Sequence, residues 1–167
     1  MNIKQWPEHQ VVEWSAVKPD VPATLYSWLA GAGSLTLKLE IYCSELTVDI
    51  ICSAPADVCQ SEQIGLGDET CWQRDVCLLG DGIPWVVARS LWPQTLLSLN
   101  TLETTPLGLL LFNQPQPDDV QREIGCFCVD GQKLWARRSI YQYDQHPVCV
   151  QELFLPGSPA YREIYHG

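Results

Sequence analysis

The chain has 167 residues, of which 46% are hydrophobic and 18% are charged, and its formal net charge is −10. This composition excludes a disordered chain, and the length favours a single domain over residues 1–167. Ten basic residues against twenty acidic ones exclude a general nucleic-acid binder, which needs clustered Lys and Arg. Because neither a secretory signal nor a run of about 18 apolar residues occurs, we expect a soluble protein that is not exported and has no membrane span.

The first third of the chain predicts one helix followed by sheet. A proline in the first turn and a glycine stop delimit a short helix within residues 20–31. From Leu35 to Ile41 apolar side chains alternate with polar ones, which is the pattern of a half-buried strand. The alternation repeats over residues 46–52, so we expect a second strand there.

The centre of the chain predicts a hairpin and then two short helices. Residues 72–79 and 83–91 flank Gly-Asp-Gly, where a tight turn needs permissive backbone angles. Residues 95–112 are apolar at near-helical spacing, and Thr105-Pro106 can open a second helical piece. The proline-rich residues 114–119 then form a surface loop.

The last third of the chain predicts a second hairpin and one further strand. Residues 120–129 and 134–143 flank Asp-Gly, and residues 148–155 precede a Pro-Gly turn. Strands that arrive as hairpins, with the helices confined to the start and the middle, indicate an antiparallel sheet in an α+β domain.

Several charged residues fall in the apolar register of the predicted strands. Arg74 shares a strand face with apolar neighbours, as do Glu152, Arg89 and Arg138, whereas Arg137 falls on the face that we expect to be solvated. A buried charge needs a partner or a ligand, because removing one member of a buried pair costs about 3–5 kcal/mol. More inward arginines than carboxylates leave room for an anion. The alternative is that Arg74 and Glu152 pair with each other across the sheet.

The cysteines and histidines do not predict a metal or catalytic site. The eight cysteines contain no Cys-x-x-Cys pair, so we expect reduced, mostly buried thiols, with a metal or redox pair at Cys126 and Cys128 as the alternative. His9, His146 and His166 are expected at the surface. No nucleophile elbow, phosphate loop or His-Glu-x-x-His helix is present, which leaves hydrolase, NTPase and metalloprotease functions without support.

Between Leu25 and Tyr161, six segments resemble the chorismate lyase family, and they occur in the family's order. They are Gly33-Ser34-Leu35-Thr36, Trp72-Gln73-Arg74-Asp75, Pro84-Trp85-Val86-Val87-Ala88-Arg89-Ser90, Thr105-Pro106-Leu107-Gly108, Trp135-Ala136-Arg137-Arg138-Ser139 and Glu152-Leu153-Phe154-Leu155-Pro156. Leu35 stands where some relatives carry Met, and Asp75 where Glu is usual. Neither departure changes the expected ligand contacts. The contact implied at Leu35 uses its backbone N–H and not its side chain, and Asp75 is expected to face away from the ligand pocket.

The resemblance implies a six-stranded antiparallel sheet with helices on one face and an enclosed pocket under helix-turn flaps. It implies that Arg74 and the backbone N–H of Leu35 hold a ring carboxylate. Glu152 and the backbone of Leu107 are then expected at the 4-hydroxyl end of the ring.

The activity that the resemblance implies is the conversion of chorismate to 4-hydroxybenzoate and pyruvate by a carbon–oxygen lyase without metal or other cofactor. We expect a cytoplasmic monomer that binds its product tightly and supplies ubiquinone synthesis. Arg89 or Arg138 is expected to hold the enolpyruvyl carboxylate, and Glu152 either accepts the C4 proton or only positions the hydroxyl. The alternative function is a non-catalytic sensing domain of the same fold that binds a hydroxybenzoate-like molecule.

Overall fold

A computed structural model describes residues 3–8, 10–56 and 70–162 of the chain. The strands are β1 (Leu46–Ala56), β2 (Cys71–Gly80), β3 (Ile83–Pro93), β4 (Gln121–Val129), β5 (Gln132–Tyr143) and β6 (His146–Phe154). They form one sheet in the order β1-β2-β3-β6-β5-β4, and every neighbouring pair is antiparallel. Two three-stranded meanders therefore meet where β3 pairs with β6, and the predicted six-stranded α+β fold is confirmed.

The two predicted hairpins are confirmed, and each turns through an Asp-Gly pair. Asp81 has φ 49° and Gly82 has φ 81°, while Asp130 has φ 50° and Gly131 has φ 77°. Two successive residues with positive φ are typical of the tight turns that match the twist of antiparallel strands. Asp81 also accepts hydrogen bonds at its carboxylate from the backbone N–H groups of residues 44 and 45.

In the described residues, four short α-helices cover one face of the sheet. They are α1 (Ala23–Ala30), α2 (Leu35–Glu40), α3 (Leu97–Asn100) and α4 (Leu107–Leu111). The predicted first helix and the two helical pieces of the middle segment are thus confirmed. In the described part of the chain, no helix has both the length and the apolar character that crossing a membrane requires.

The strand that the sequence predicts over residues 35–41 is wrong, because this segment is α2. The alternating leucines fit a helix equally well, since Leu35 and Leu39 lie one turn apart and are buried while Leu37 is exposed. Ser34 caps the helix by accepting a hydrogen bond from Leu37 N–H at 3.4 Å, and Gly33 before it has φ 90°. A serine cap preceded by glycine was the signal that favoured a helix.

The face of the sheet opposite the helices is covered by the N-terminal segment. Trp6 and Trp14 both pack edge-on against Phe127 of β4. Ser15 continues this cover by forming a backbone bridge with Ile124. The inner strands β3 and β6 are therefore buried on both faces, which decides where their charged side chains can go.

Candidate active site

A partly open cavity lies between the sheet and the helices α2 and α4. Its volume is about 50 Å³, which is room for roughly three to five water molecules. Its charged lining residues are Arg74 from β2, Arg137 from β5 and Glu152 from β6, and the other lining residues are mostly apolar. We call the side of the sheet that carries these three residues the cavity face. Two guanidinium groups against one carboxylate leave the lining with an excess of one positive charge.

Among the charged residues that line the cavity, Arg74 is the arginine that has no carboxylate partner in the described part of the chain. It is 2% exposed, and its Nη2 donates to the backbone carbonyls of Glu103 at 2.9 Å and Thr105 at 3.0 Å. Its buried Nε has no hydrogen-bond partner in the described part of the chain, and burial lowers the pKa of Arg74. The guanidinium is thus fixed in place by neutral groups, and its charge remains available to an anionic ligand.

Glu152 pairs with Arg137 and not with Arg74, so the cross-sheet pair considered from the sequence is wrong. Arg137 Nε donates to Glu152 Oε2 at 2.5 Å, and the two residues are direct neighbours on β5 and β6. Burial lowers the pKa of Arg137, but Glu152 and Tyr141 together raise it by more, so this pKa lies above its ordinary value. Arg137 therefore keeps its proton although it is buried beside the cavity.

Arg137 is 3% exposed, so the expectation that it is solvated is wrong. That expectation assumed that one face of β5 meets water, whereas helices cover one face and the N-terminal segment covers the other. Arg137 is the charged lining residue that sequence reasoning missed. The available signal was its position along β5. Arg137 shares a strand face with Trp135 and Ser139, and this position lies directly across from Glu152 on β6.

Arg89 and Arg138 are buried as expected, but they lie on the face opposite the cavity. Arg89 forms a bidentate pair with Asp75 at 2.8–2.9 Å and also pairs with Glu8. Arg138 donates to Glu123 at 2.9 Å. The expectation that Arg89 or Arg138 binds a substrate carboxylate is therefore corrected, because the sheet separates both of them from the cavity. Asp75 faces away from the cavity, as the sequence predicted.

Leu35 and Leu107 place the starts of two helices at the cavity. They are the first residues of α2 and α4, and both line the cavity. The N–H groups in the first turn of a helix have no acceptor within that helix. The structure therefore brings together Arg74, Glu152, Leu35 and Leu107 around one cavity, as the sequence predicted, although their ligand contacts stay predictions.

Cys43, Cys52, Cys77, Cys126 and Cys128 are free thiols. Cys71, Cys77 and Cys149 are buried, whereas Cys126 is half-buried and Cys128 is exposed. Within residues 3–8, 10–56 and 70–162, no group of three His, Cys, Asp or Glu side chains is arranged to hold a metal ion. The predicted surface positions of His9 and His166, and the state of Cys59, fall outside the described residues.

Residues 10–165 match the family model described as chorismate lyase. The chain is 39% identical over 163 residues to a protein named "Probable chorismate pyruvate-lyase" from Pseudoalteromonas atlantica, covering 84% of either chain. It is 33% identical over 167 residues to the "Chorismate pyruvate-lyase" of Erwinia tasmaniensis, covering 95% of this chain and 94% of that one.

Solved structures with the same fold are regulatory domains of much lower identity. The effector domain of PhnF from Mycobacterium smegmatis superposes with a TM-score of 0.56 at 15% identity, over 73% of this chain and 88% of that one. A ligand-binding domain of a GntR-family regulator from Bordetella bronchiseptica gives 0.53 at 17% identity, over 70% and 89%. At these identities the likeness shows the fold alone.

Proposed function

The chain belongs to the chorismate lyase family, and from that premise we propose that it converts chorismate to 4-hydroxybenzoate and pyruvate. The observation that carries the proposal is the cavity, whose mostly apolar lining holds a buried carboxylate and a guanidinium that has no carboxylate partner among the described residues. An aromatic acid with a para-hydroxyl needs these groups for binding. We also propose that no metal or organic cofactor takes part.

Arg74 and the Leu35 N–H would bind the ring carboxylate of substrate and product. Arg74 is fixed by two backbone carbonyls, so it is oriented before a ligand arrives. At about 4 Å and an effective dielectric of about 20, a guanidinium attracts a carboxylate by roughly 4 kcal/mol. At the other end of the ring, Glu152 and the Leu107 N–H would bind the 4-hydroxyl.

The chemistry breaks the bond from ring carbon C3 to the ether oxygen and removes the proton on C4. The electrons of the C4–H bond complete the aromatic ring, and enolpyruvate leaves with its oxygen and takes up a proton to become pyruvate. Glu152 beside the 4-hydroxyl would accept the C4 proton as general base, which typically contributes about 10²–10⁴-fold. The alternative is that the proton passes within the substrate itself and Glu152 only positions the hydroxyl.

The size of the cavity supports slow product release. Its volume of about 50 Å³ is small for chorismate, so α2 or α4 would have to move for ligands to enter and leave. We propose that 4-hydroxybenzoate is bound tightly for this reason and inhibits turnover. We further propose that the protein acts as a cytoplasmic monomer and that its product is used for ubiquinone synthesis.

Incubating the purified protein with chorismate in the presence of EDTA tests the proposal. Pyruvate and 4-hydroxybenzoate, separated by chromatography, should appear in equal amounts without added metal. If activity requires a metal, the cofactor-independent mechanism is wrong. If chorismate stays intact while 4-hydroxybenzoate binds, the cavity is a sensing site, which would contradict the lyase function.

A further inference from the structure

Arg137 joins two parts of the molecule that belong to different layers. Through Nε it donates to Glu152 in the sheet at 2.5 Å. Through Nη1 it donates to the backbone carbonyls of Trp28 at 3.0 Å and Gly31 at 3.3 Å, which lie at the C-terminal end of α1. The side chain is 3% exposed, so all of these contacts are shielded from water.

The end of α1 is a suitable anchor for a cation. The last carbonyls of a helix have no partner within the helix and carry partial negative charge. Arg122 adds a second guanidinium there by donating to the carbonyl of Gly31 at 2.5 Å. Immediately afterwards, Gly33 takes φ 90° before α2 begins, so this short connection joins the anchor to the helix that covers the cavity.

We infer that Arg137 is a positioning residue that aligns the Glu152 carboxylate, and that it does so only while α1 is seated on the sheet. The inference rests on the proposed function, in which Glu152 acts at the 4-hydroxyl end of the ring. A free Glu side chain has several rotamers, and a guanidinium held by two carbonyls selects one of them. Arginine is required because its planar guanidinium has several N–H groups and donates to the sheet and to α1 at once, whereas lysine offers a single nitrogen.

The test compares Arg137→Met and Arg137→Lys with Arg138→Met as the matched control. Arg138 is equally buried and also paired with a glutamate, Glu123, but it lies on the opposite face of the sheet. We expect Arg137→Met to lower the single-turnover rate of chorismate cleavage by about a hundredfold, the typical result of misplacing a catalytic group by about 1 Å. Arg137→Lys should recover part of that loss, and the chorismate concentration that gives half of the maximal single-turnover rate should change less than the rate itself in both variants.

A double-mutant cycle separates alignment from general loss of stability. In a Glu152→Gln background, Arg137→Met should cost less than about threefold further, because residues that act as a unit are strongly non-additive. Equal losses in both backgrounds would show that Arg137 does not act through Glu152. A loss of single-turnover rate in Arg138→Met as large as in Arg137→Met, at matched thermal stability, would equally overturn the inference.

The dissociation rate of 4-hydroxybenzoate tests whether the contact between Arg137 and α1 matters. Stopped-flow tryptophan fluorescence should show dissociation about tenfold faster in Arg137→Met, the factor expected for losing a hydrogen bond of about 1.4 kcal/mol. An unchanged rate would refute the link to α1. If the wild-type chain does not cleave chorismate, the proposed function fails but the inference can still be tested. The double-mutant cycle is then measured on the dissociation constant of 4-hydroxybenzoate, and additive effects of the Arg137 and Glu152 substitutions on that constant would refute the role of Arg137.

Discussion

Replacing Arg74 with methionine tests the charge that the cavity leaves without a carboxylate. The guanidinium is 2% exposed and donates to backbone carbonyls, so a bound ring carboxylate would become its counter-ion. Removing one partner of a buried ion pair costs about 3–5 kcal/mol. Arg74→Met should therefore weaken 4-hydroxybenzoate binding by roughly a hundredfold to several thousandfold, at 1.36 kcal/mol for each factor of ten.

The assay is a calorimetric titration with 4-hydroxybenzoate and, as a neutral isostere, 4-hydroxybenzamide. Because Arg74 also holds the backbone of residues 103–105, the variant loosens the loop before α4 for both ligands. The loss of charge acts on the acid alone, so the preference for acid over amide should collapse. If both ligands lose affinity by the same factor, Arg74 acts through the loop and not on the carboxylate. Unchanged binding of the acid would show that the ring lies in another orientation.

Three further predictions concern the other end of the ring and the opposite face of the sheet. Glu152→Gln should lower kcat in single-turnover assays by more than about a thousandfold if Glu152 accepts the C4 proton, whereas a loss below tenfold would limit it to binding the hydroxyl. Leu107→Pro deletes the N–H at the start of α4 with little strain, because Pro106 already has ψ 127°. Compared with Leu107→Ala, it should weaken 4-hydroxybenzoate about tenfold in the same titration, and equal affinities would contradict the N–H contact. Burial raises the pKa of Cys77 to about 11, so at pH 8 about one thiol in a thousand is ionised, and the side chain is also inaccessible at 0% exposure. Iodoacetamide followed by mass spectrometry should therefore label the exposed Cys128 but not Cys77 at pH 8. Equal labelling of the two at pH 8 would refute this.

Most of the sheet could be predicted because its turns and its side-chain alternation are local signals. Asp-Gly pairs marked both hairpins, and the alternation placed β1 and β6 to within a few residues. The error over residues 35–41 has a physical cause. Four leucine or isoleucine residues spaced by two also place Leu35 and Leu39 one turn apart on a helix, and the serine cap at Ser34 favoured the helix.

The candidate site could be predicted only in part, because strand register shows which side chains share a face but not what covers that face. Arg74 and Glu152 were identified from register and resemblance together. Arg137 was assigned to solvent because nothing local in β5 indicates that both faces of the sheet are covered. The N-terminal segment that covers the opposite face lies more than 100 residues away from β4 in sequence and carries no strand pattern of its own.

The four buried arginines of the sheet differ in their hydrogen-bond and ion-pair partners more than in their burial. Arg89 and Arg138 are matched by carboxylates of the protein, so their charge is already compensated and a ligand would have to displace it. Arg74 is held by carbonyls, which orient the guanidinium without neutralising it. Arg137 combines both kinds of partner, a carboxylate and two carbonyls. On the face opposite the cavity both buried arginines are therefore compensated by acids of the protein, whereas on the cavity face Arg137 has an acid and Arg74 has none among the described residues. This difference is why we propose Arg74, and not the other three, as the group that binds a ligand carboxylate.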